Sequence, residues 1–435
     1  MILVYSHKIT NRLNYIFKLV LTELVGAEIE LTSDEEKFKH YQGPSISYTS
    51  QPIGDELFFL SNPLLFDHDI RDYAIEVSDW EGTKSFFPTN RVSALPFDPF
   101  AASFYLVSRY EEYLPHIKDE YGRFDSKESL AFQKEFLERP LINIWASKIK
   151  QLLAEKYPGI QLKQANYKFI STIDIDNAYA YKEKGTVRTV GGFARAVVNM
   201  NMEEAMQRLS VVFGKCPDPF DTYDYQLEVQ KRFNLNVIYF MLLADYGIND
   251  NNIPVQSKKL QSLIKSLADY AEVGIHPGFN AHLNLNKLQE EHARLEHILK
   301  REVKKSRQHF LKLTLPETYR DLISLDISDD YTMGYASKIG FRASICTAFN
   351  FYDLDLDVET KLRVHPFVLT DANLKYSMKL QPENAMDYIA PIIEEVKSLN
   401  GTFISIWHND SLSENAEWKG WREVFESLMK NASAK

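Results

Sequence analysis

The sequence is poor in cysteine, in net positive charge and in long apolar runs. Its 435 residues include two cysteines, Cys216 and Cys346, so neither a disulfide framework nor a cysteine-based zinc site is expected. The formal net charge of −10 argues against sequence-independent binding of nucleic acid. No run approaches the roughly 20 apolar residues that span a bilayer, and the first residues lack the pattern of a secretory signal. We therefore predict a cytoplasmic protein with no membrane span and no nucleic-acid partner.

Two common catalytic motifs are also absent. There is no glycine-rich phosphate loop and no Gly-x-Ser-x-Gly elbow, so phosphoryl transfer and serine hydrolysis are poor hypotheses. The composition, with 45% apolar and 25% charged residues, is that of an ordinary globular protein. The length favours two or three domains. Nothing in the sequence indicates an oligomeric state.

The spacing of apolar residues changes near Pro158-Gly159, which is the best candidate for a domain boundary. Before it, short β-like runs and helical stretches predict a smaller α/β domain over residues 1–160, of unknown role. After it, strands and helices alternate, which is typical of parallel βα units. The strand count falls near seven. We therefore predict an α/β fold in which a distorted (β/α)7-type barrel occupies residues 161–435.

Single elements are predicted in the same way. Helices are expected over residues 10–24, 98–113, 139–156, 223–233, 256–271, 284–303 and 383–398 and from about residue 415. Strands are expected over Tyr167–Asp174, Asn236–Leu242, Glu272–His276, Phe310–Leu313, Arg342–Cys346 and Thr402–His408. Residues 180–221 are interpreted as a polar, irregular excursion.

Four polar clusters, each after an apolar β-rich run, carry the candidate chemistry. In the first, Asp174 and Asp176 alternate with Ile173 and Ile175, so both carboxylates lie on one side of a strand. In a parallel barrel the strands end at one rim, so the four clusters would meet there. One carboxylate could bind a metal while the other remains a base. The alternative is an Asx-turn or a helix cap.

The second cluster is centred on His276, which follows an apolar strand and precedes Pro277-Gly278. An imidazole at a strand end is a suitable ligand for zinc or a similar metal. Asn280 could add a carbonyl oxygen, and His282 competes for that role. Taken alone, a histidine such as His276 is more often a hydrogen-bonded structural residue, but with Asp176 as its partner a metal ligand is favoured.

The third and fourth clusters supply a guanidinium and two imidazoles. Arg307 could hold a carboxylate base through a bidentate pair. His309 could lie beside the metal or bind substrate, although a packed ring explains it equally well. His408 ends a strand and could protonate a leaving amine, with Asp371 as the acid that orients it. Trp407 and Asn409 flank His408 and are candidates for contact with substrate.

The order Asp-x-Asp, Gly-Ile-His-Pro, an arginine-containing strand and Trp-His resembles the polysaccharide deacetylases (NodB-homology domains, carbohydrate esterase family 4) over residues 165–430. The runs Ser306–Phe310, Asp330–Ala336 and Gly340–Arg342 resemble a subgroup with an extra N-terminal α/β domain. The resemblance implies a distorted (β/α) barrel. It also implies removal of N-acetyl or O-acetyl groups from glycans with a divalent metal, most often zinc.

Roles follow from the matching motifs. The resemblance assigns the catalytic base to Asp174 and metal ligands to Asp176 and His276. It makes Arg307 the residue that holds the base, and His408 the late catalytic histidine. It also suggests that Asp371 tunes that histidine.

Two departures from the family pattern bear on the metal. Asn280 stands where a second metal histidine is usual, and His309 stands where a proline is usual. Either His309 replaces the lost ligand, or the metal site is weak or absent.

The leading hypothesis is a metal-dependent deacetylase of an acetylated sugar or glycan. A catalytically degenerate carbohydrate-binding or scaffold protein is the alternative. A glycosidase that uses Asp174 and Asp176 is disfavoured, since the two are too close on one strand.

Overall fold

Two sheets organise the chain, one in each part of the sequence. The computed structural model describes residues 1–434. The strands are β1 Ile2–Tyr5, β2 Ile29–Thr32, β3 Ser45–Thr49, β4 Leu57–Leu60, β5 Ser78–Trp80, β6 Thr83–Ser85, β7 Lys168–Ile175, β8 Val237–Leu242, β9 Glu272–His276, β10 Lys305–Ser306, β11 Asp329–Asp330, β12 Phe349–Asp353, β13 Val358–Val364, β14 Leu369–Thr370 and β15 Thr402–His408.

The helices lie between and around these strands. They are α1 Asn11–Phe17, continued by a π-helical segment Lys18–Leu24, α2 Glu35–Lys39, α3 Pro99–Val107, α4 Leu130–Gln133, α5 Leu141–Lys156, α6 Gly185–Val198, α7 Met202–Val212, α8 Tyr223–Phe233, α9 Lys258–Ala268, α10 Leu285–Leu299, α11 Glu317–Ser324, α12 Pro382–Ser398 and α13 Trp421–Ser433. Within residues 1–434, no helix has both the length and the apolar character needed to cross a bilayer.

The N-terminal sheet has four parallel strands in the order β2-β1-β3-β4. Helix α3 lies wholly in the core next to it. Asp98 begins this helix and accepts hydrogen bonds from the backbone N–H groups of Phe100 and Ala101, so the buried helix start is satisfied.

The larger sheet has nine strands in the order β12-β13-β11-β10-β9-β8-β7-β15-β14. Every neighbouring pair is parallel except β12 with β13. The register places His408 opposite Asp174 and Leu242 opposite His276, so the carboxyl ends of β7, β9 and β15 lie side by side. The prediction of a mainly parallel α/β sheet is therefore confirmed.

The edges of this sheet do not pair with each other. The connection between β13 and β14 nevertheless bonds to both sides. Phe367 N donates to Met333 O at 3.1 Å, next to β11, and Val368 N donates to Ile404 O at 2.9 Å in β15. One extended segment thus runs from one side of the sheet to the other.

Three local predictions were wrong. Residues 180–221 contain helices α6 and α7, whose apolar side chains are largely exposed and so give no core-facing pattern. Phe310–Leu313 is not a strand, because Phe310 and Leu311 adopt φ values of 56° and 52°, which end the extended chain. Arg342–Cys346 forms no strand either. Its backbone turns at Ser344, where φ is 51°.

The two parts of the chain share packing and ion pairs. One hydrophobic cluster includes core residues of both, and Tyr15 of α1 contacts Tyr352 of β12 with ring centroids 4.9 Å apart. The Glu112 carboxylate accepts two hydrogen bonds from Arg342, at 2.6 and 2.9 Å, and one from Arg109 at 2.7 Å. All three side chains are buried. Residues 1–160 are therefore held firmly against the larger sheet.

Candidate metal centre and catalytic site

Strand alternation in β7 delivers two carboxylates to one cavity. Ile173 and Ile175 pack into the hydrophobic core, whereas Asp174 and, just beyond the strand, Asp176 line a cavity of about 230 Å³. His276 and His408, at the ends of β9 and β15, line the same cavity, as does His309. Four separate segments therefore meet at the carboxyl ends of the parallel strands.

Asp176, His276 and His309 form a candidate metal centre. Each offers one ligand atom, and these three atoms lie within 4.8 Å of one another. Oδ1 of Asp176 is 3.1 Å from Nε2 of His276, and Oδ2 is 3.3 Å from Nε2 of His309. One carboxylate and two imidazoles form a ligand set typical of catalytic zinc sites.

Hydrogen bonds on the far side of each ring fix the orientation of both imidazoles. Nδ1 of His276 donates to the carbonyl oxygen of Arg307 at 2.5 Å, and Nδ1 of His309 donates to Oδ1 of Asp250 at 2.8 Å. With its proton on Nδ1, each ring in its neutral form directs the Nε2 lone pair towards Asp176. Oδ1 of Asp176 is buried and makes no hydrogen bond, despite the 3.1 Å approach of His276. The donor atoms converge on a common point, as ligands of a cation do.

The electrostatics agree with a cation between these groups. Burial raises the pKa of Asp176, but His309, His276 and His408 lower it, and the net value lies well below that of a free aspartate. Burial lowers the pKa of His309, but Asp176 and Asp250 outweigh this effect and raise it to about 9. The negative potential that favours a proton on His309 equally favours a metal ion.

Arg307 holds Asp174 beside this centre. The guanidinium is fully buried and donates from Nη1 to Oδ1 of Asp174 at 2.7 Å and to Oγ1 of Thr172 at 2.7 Å. It lies over the ring of Phe240, 4.4 Å from the centroid. The other carboxylate oxygen of Asp174 is 3.8 Å from Nε2 of His276. Asp174 is thus fixed by one oxygen and faces the metal ligands with the other.

Asp371 holds His408 at the same cavity, on the strand next to that of Asp174. Its carboxylate accepts from Nδ1 of His408 at 2.8 Å and from the backbone N–H of the same residue at 2.8 Å. Nε2 of His408 lies 3.8 Å from Oδ2 of Asp176. Burial lowers the pKa of His408, but Asp371, Asp176 and Asp174 raise it well above the usual value. The surrounding carboxylates therefore favour the protonated form of this imidazole.

Three predicted site residues do not reach the cavity. Strand alternation turns Trp407 away from His408, and its ring packs against Phe425 in the outer core, 5.1 Å between centroids. Asn409 is buried, and its amide donates to the carbonyl oxygens of Asn177 and Phe220, so it fixes two loops. Asn280 is exposed on the short helical turn after Pro277-Gly278, which carries it away from Asp176. The structure corrects the expectations of substrate contact for the first two and metal ligation for the third.

Two residues near the centre were not predicted. Asp250 lies in the loop after β8, in a run rich in Asn and Asp that reads as an ordinary turn. Arg123 comes from the N-terminal part and lines the cavity. Neither has a local sequence signal, since both act through contacts with chain segments that are distant in sequence.

Comparisons with known proteins give fold similarity at low identity. A model of a family of unknown function (DUF7033) matches residues 2–158. No curated protein matches the sequence. An inferred polysaccharide deacetylase from Mycobacterium smegmatis is 12% identical, with 62% of this chain and 87% of that chain covered and a TM-score of 0.40.

Two further solved structures are similar in the same way. A polysaccharide deacetylase from Bacillus cereus is 10% identical over 62% of this chain and 87% of that chain, with a TM-score of 0.30. PuuE allantoinase is 10% identical over 64% of this chain and 87% of that chain, with a TM-score of 0.41. Because these values are low, the function of this chain has to be inferred from the geometry of its site.

Proposed function

We propose that this chain is a metal-dependent hydrolase that removes acetyl groups, N-linked or O-linked, from a carbohydrate. The observation that carries the proposal is the convergence of Asp176, His276 and His309, with ligand atoms within 4.8 Å, between Asp174 and His408 in one cavity. A metal ligand set, a held carboxylate and a held imidazole are the parts required for metal-assisted acyl hydrolysis.

We interpret the larger sheet as a distorted barrel of the polysaccharide deacetylase type. The extended segment that contains Phe367 and Val368 donates to Met333 on one side and to Ile404 on the other, which supports a closed rather than a flat arrangement. In such a barrel the carboxyl ends of the strands carry the catalytic groups. The location of Asp174, Asp176, His276 and His408 agrees with this pattern.

Asp176, His276 and His309 would hold the metal, with His309 in place of the second histidine of the usual motif. Their single carboxylate and two neutral imidazoles suit zinc better than the hard cations magnesium and calcium, which prefer oxygen ligands. When bound, a divalent ion supplies Lewis-acid polarisation of the acyl carbonyl and lowers the pKa of water.

The remaining residues of the cavity would carry the proton transfers. Asp174, held by Arg307 at 2.7 Å, would accept the proton of the attacking water. His408 would donate a proton to the departing amine or alcohol, because Asp371 at 2.8 Å keeps the imidazole charged. The proposed base and acid end neighbouring strands and line the same cavity as Asp176.

Metal analysis tests the centre. We expect the protein purified without chelator to contain one divalent ion per chain, and we expect Asp176→Ala and His309→Ala to lose it. His282→Ala is the matched control, since His282 is a nearby imidazole that bonds to Thr314 at 3.1 Å and lies outside the cluster. Metal retained by His309→Ala, or lost by His282→Ala, would contradict the assigned ligand set.

Acetate release tests the reaction. The metal-loaded protein should liberate acetate from an N-acetylated or O-acetylated sugar, and a chelator should stop the reaction. A metal-free protein that binds the sugar without releasing acetate would instead identify a carbohydrate-binding protein on the same fold.

A further inference from the structure

The N-terminal part of the chain contributes directly to the cavity of the candidate active site. Residues 118–124 form a short hairpin in which Lys118 pairs with Phe124 across a turn at Gly122. This hairpin packs against the turn that carries His309. The ring of Tyr121 lies 5.1 Å from that of Phe310, and Nη1 of Arg123 donates to Phe310 O at 2.7 Å.

Arg123 is held rigidly in this position. Its Nε donates to Oδ2 of Asp119 at 2.7 Å, and its guanidinium lies 4.9 Å from the centre of the Tyr121 ring. Nη2 has no hydrogen-bond partner among residues 1–434. A fixed guanidinium with a free edge at a cavity wall is preorganised to bind a ligand oxygen.

A second cavity, of about 220 Å³, adjoins the catalytic cavity. Arg123, Leu311 and Ala336 line both, so the two spaces meet at the Arg123 side chain. The second cavity lies between the N-terminal segment 119–127 and the segment 334–338 that follows β11. The catalytic cavity alone, at about 230 Å³, is smaller than the roughly 300–1,000 Å³ of most small-molecule sites, whereas the two together fall within that range.

The lining of the second cavity favours an uncharged, hydroxyl-rich ligand. It carries cationic groups, including Lys127 and Lys338, and also the carboxylates of Asp119 and Asp125. An anionic group would meet repulsion from these carboxylates, and a cationic one would meet repulsion from the lysines. Sugar hydroxyls both donate and accept, so they can pair with both kinds of side chain.

We propose that the N-terminal part forms a second sugar-binding subsite. The acetylated sugar would occupy the catalytic cavity, and the neighbouring uncharged sugar of an oligosaccharide would occupy the second cavity. Arg123 would donate from Nη2 to the substrate between them and thereby determine specificity for a chain of two or more sugars. This inference rests on the proposed function, since it assigns the sugar next to the one that is deacetylated.

Binding to metal-free protein tests the subsite without requiring catalysis. The probes are N-acetylglucosamine and its β-1,4-linked disaccharide, measured by isothermal titration calorimetry in the presence of chelator. We expect the disaccharide to bind at least about tenfold more tightly than the monosaccharide. Ser337→Tyr should remove this preference, because Ser337 is exposed and lines the second cavity. Ser262→Tyr, an exposed position on α9, is the matched control.

Arg123→Gln is the second variant, and unlike Ser337→Tyr it adds no bulk to the second cavity. It should lower the ratio of disaccharide affinity to monosaccharide affinity. Equal affinity for the two probes, or a preference unchanged in both Ser337→Tyr and Arg123→Gln, would overturn the subsite. Acetate release from both probes at equal kcat/KM would do the same while leaving the proposed function intact. Tight disaccharide binding without acetate release would instead overturn the hydrolase and support the subsite.

Discussion

Two carboxylates, the buried Glu112 and the partly exposed Asp176, each face several basic side chains, with opposite consequences. Glu112 accepts three hydrogen bonds from the guanidinium groups of Arg342 and Arg109, at 2.6 to 2.9 Å. Asp176 faces Nε2 atoms of His276, His309 and His408, at 3.1, 3.3 and 3.8 Å. The first carboxylate joins the two parts of the chain, and the second opens onto a cavity.

The direction of the protons distinguishes the two clusters. A guanidinium carries N–H donors on every nitrogen, so it satisfies Glu112 directly. His276 and His309 each donate from Nδ1 to another acceptor and turn Nε2 towards Asp176. The donors around Glu112 are therefore complete, whereas Nε2 of His276 and His309 can hold either a proton or a metal ion beside Asp176. Charge alone would not separate a structural ion pair from a metal centre.

The largest effect is expected at His408, the proposed proton donor. His408→Ala should lower kcat/KM for an N-acetylated sugar about 10²–10⁴-fold, the usual contribution of general acid catalysis. The stability of the protein should change little, because His408 lies at the rim of the cavity and is partly exposed. Steady-state kinetics and thermal unfolding measure the two effects separately.

The leaving group supplies the control for this variant. 4-Nitrophenyl acetate releases an anion that needs no proton, so its hydrolysis should fall much less in His408→Ala than that of the sugar amide. An equal loss for both substrates would show that His408 acts in some other way.

Substitution in the cluster of Glu112, Arg109 and Arg342 should instead affect the stability of the fold and leave metal binding unchanged. Glu112→Gln leaves the buried cations Arg342 and Arg109 without their shared carboxylate, and breaking such a pair costs about 3–5 kcal/mol. Urea unfolding should therefore detect a large loss of stability, while metal content per folded chain stays unchanged. Glu120→Gln, at an exposed carboxylate, should stay within about 0.5 kcal/mol of the wild type. An unchanged free energy of unfolding in Glu112→Gln would mean that the association of the two parts does not depend on this cluster.

Lowering the pH should gradually remove the contribution of Glu112 to the stability of the fold. Burial raises its pKa, but Arg342 and Arg109 overcome this effect and lower it to about 2, from 4.5 in the unfolded chain. The unfolded chain binds this proton first, so the stabilisation of about 3 kcal/mol is complete above pH 4.5 and declines as the pH falls towards 2. The stability difference between wild type and Glu112→Gln should shrink over that interval in urea titrations. A difference that stays constant from pH 6 to 3 would contradict the assigned shift.

Much of the larger sheet could be predicted, because its signals are local. Strand β15 was predicted with its observed bounds, Thr402–His408, and helix α8 with its own, Tyr223–Phe233. The turn at Phe310 could not be predicted, since its left-handed backbone is stabilised by a hydrogen bond from Arg123, 187 residues earlier. Elements defined by side-chain period are readable from sequence, whereas those defined by distant contacts are not.

The candidate site divides in the same way. Asp174 and Asp176 were found because alternation at a strand end is visible in the sequence, and His276, Arg307 and His408 follow comparable strands. Trp407 was misassigned as a substrate contact because the residue before His408 faces the other side of the strand. Asp250 was missed because its role exists only when the β8 loop meets His309.

The smallest effect is expected at Asp250, and it tests most directly whether Asp176 and Glu112 differ in kind. Its carboxylate accepts from Nδ1 of His309 at 2.8 Å, and loss of such a partner usually weakens metal binding 10–100-fold, or roughly 1.4–2.7 kcal/mol. Asp250→Asn should therefore reduce metal affinity by that factor in competition with a chelating dye. Asp245→Asn, in the same loop but paired with Lys287 and Arg294 at the surface, should leave it unchanged. Unaltered affinity in Asp250→Asn would indicate that His309 is not a ligand, and Asp176 would then resemble Glu112 more closely than we infer.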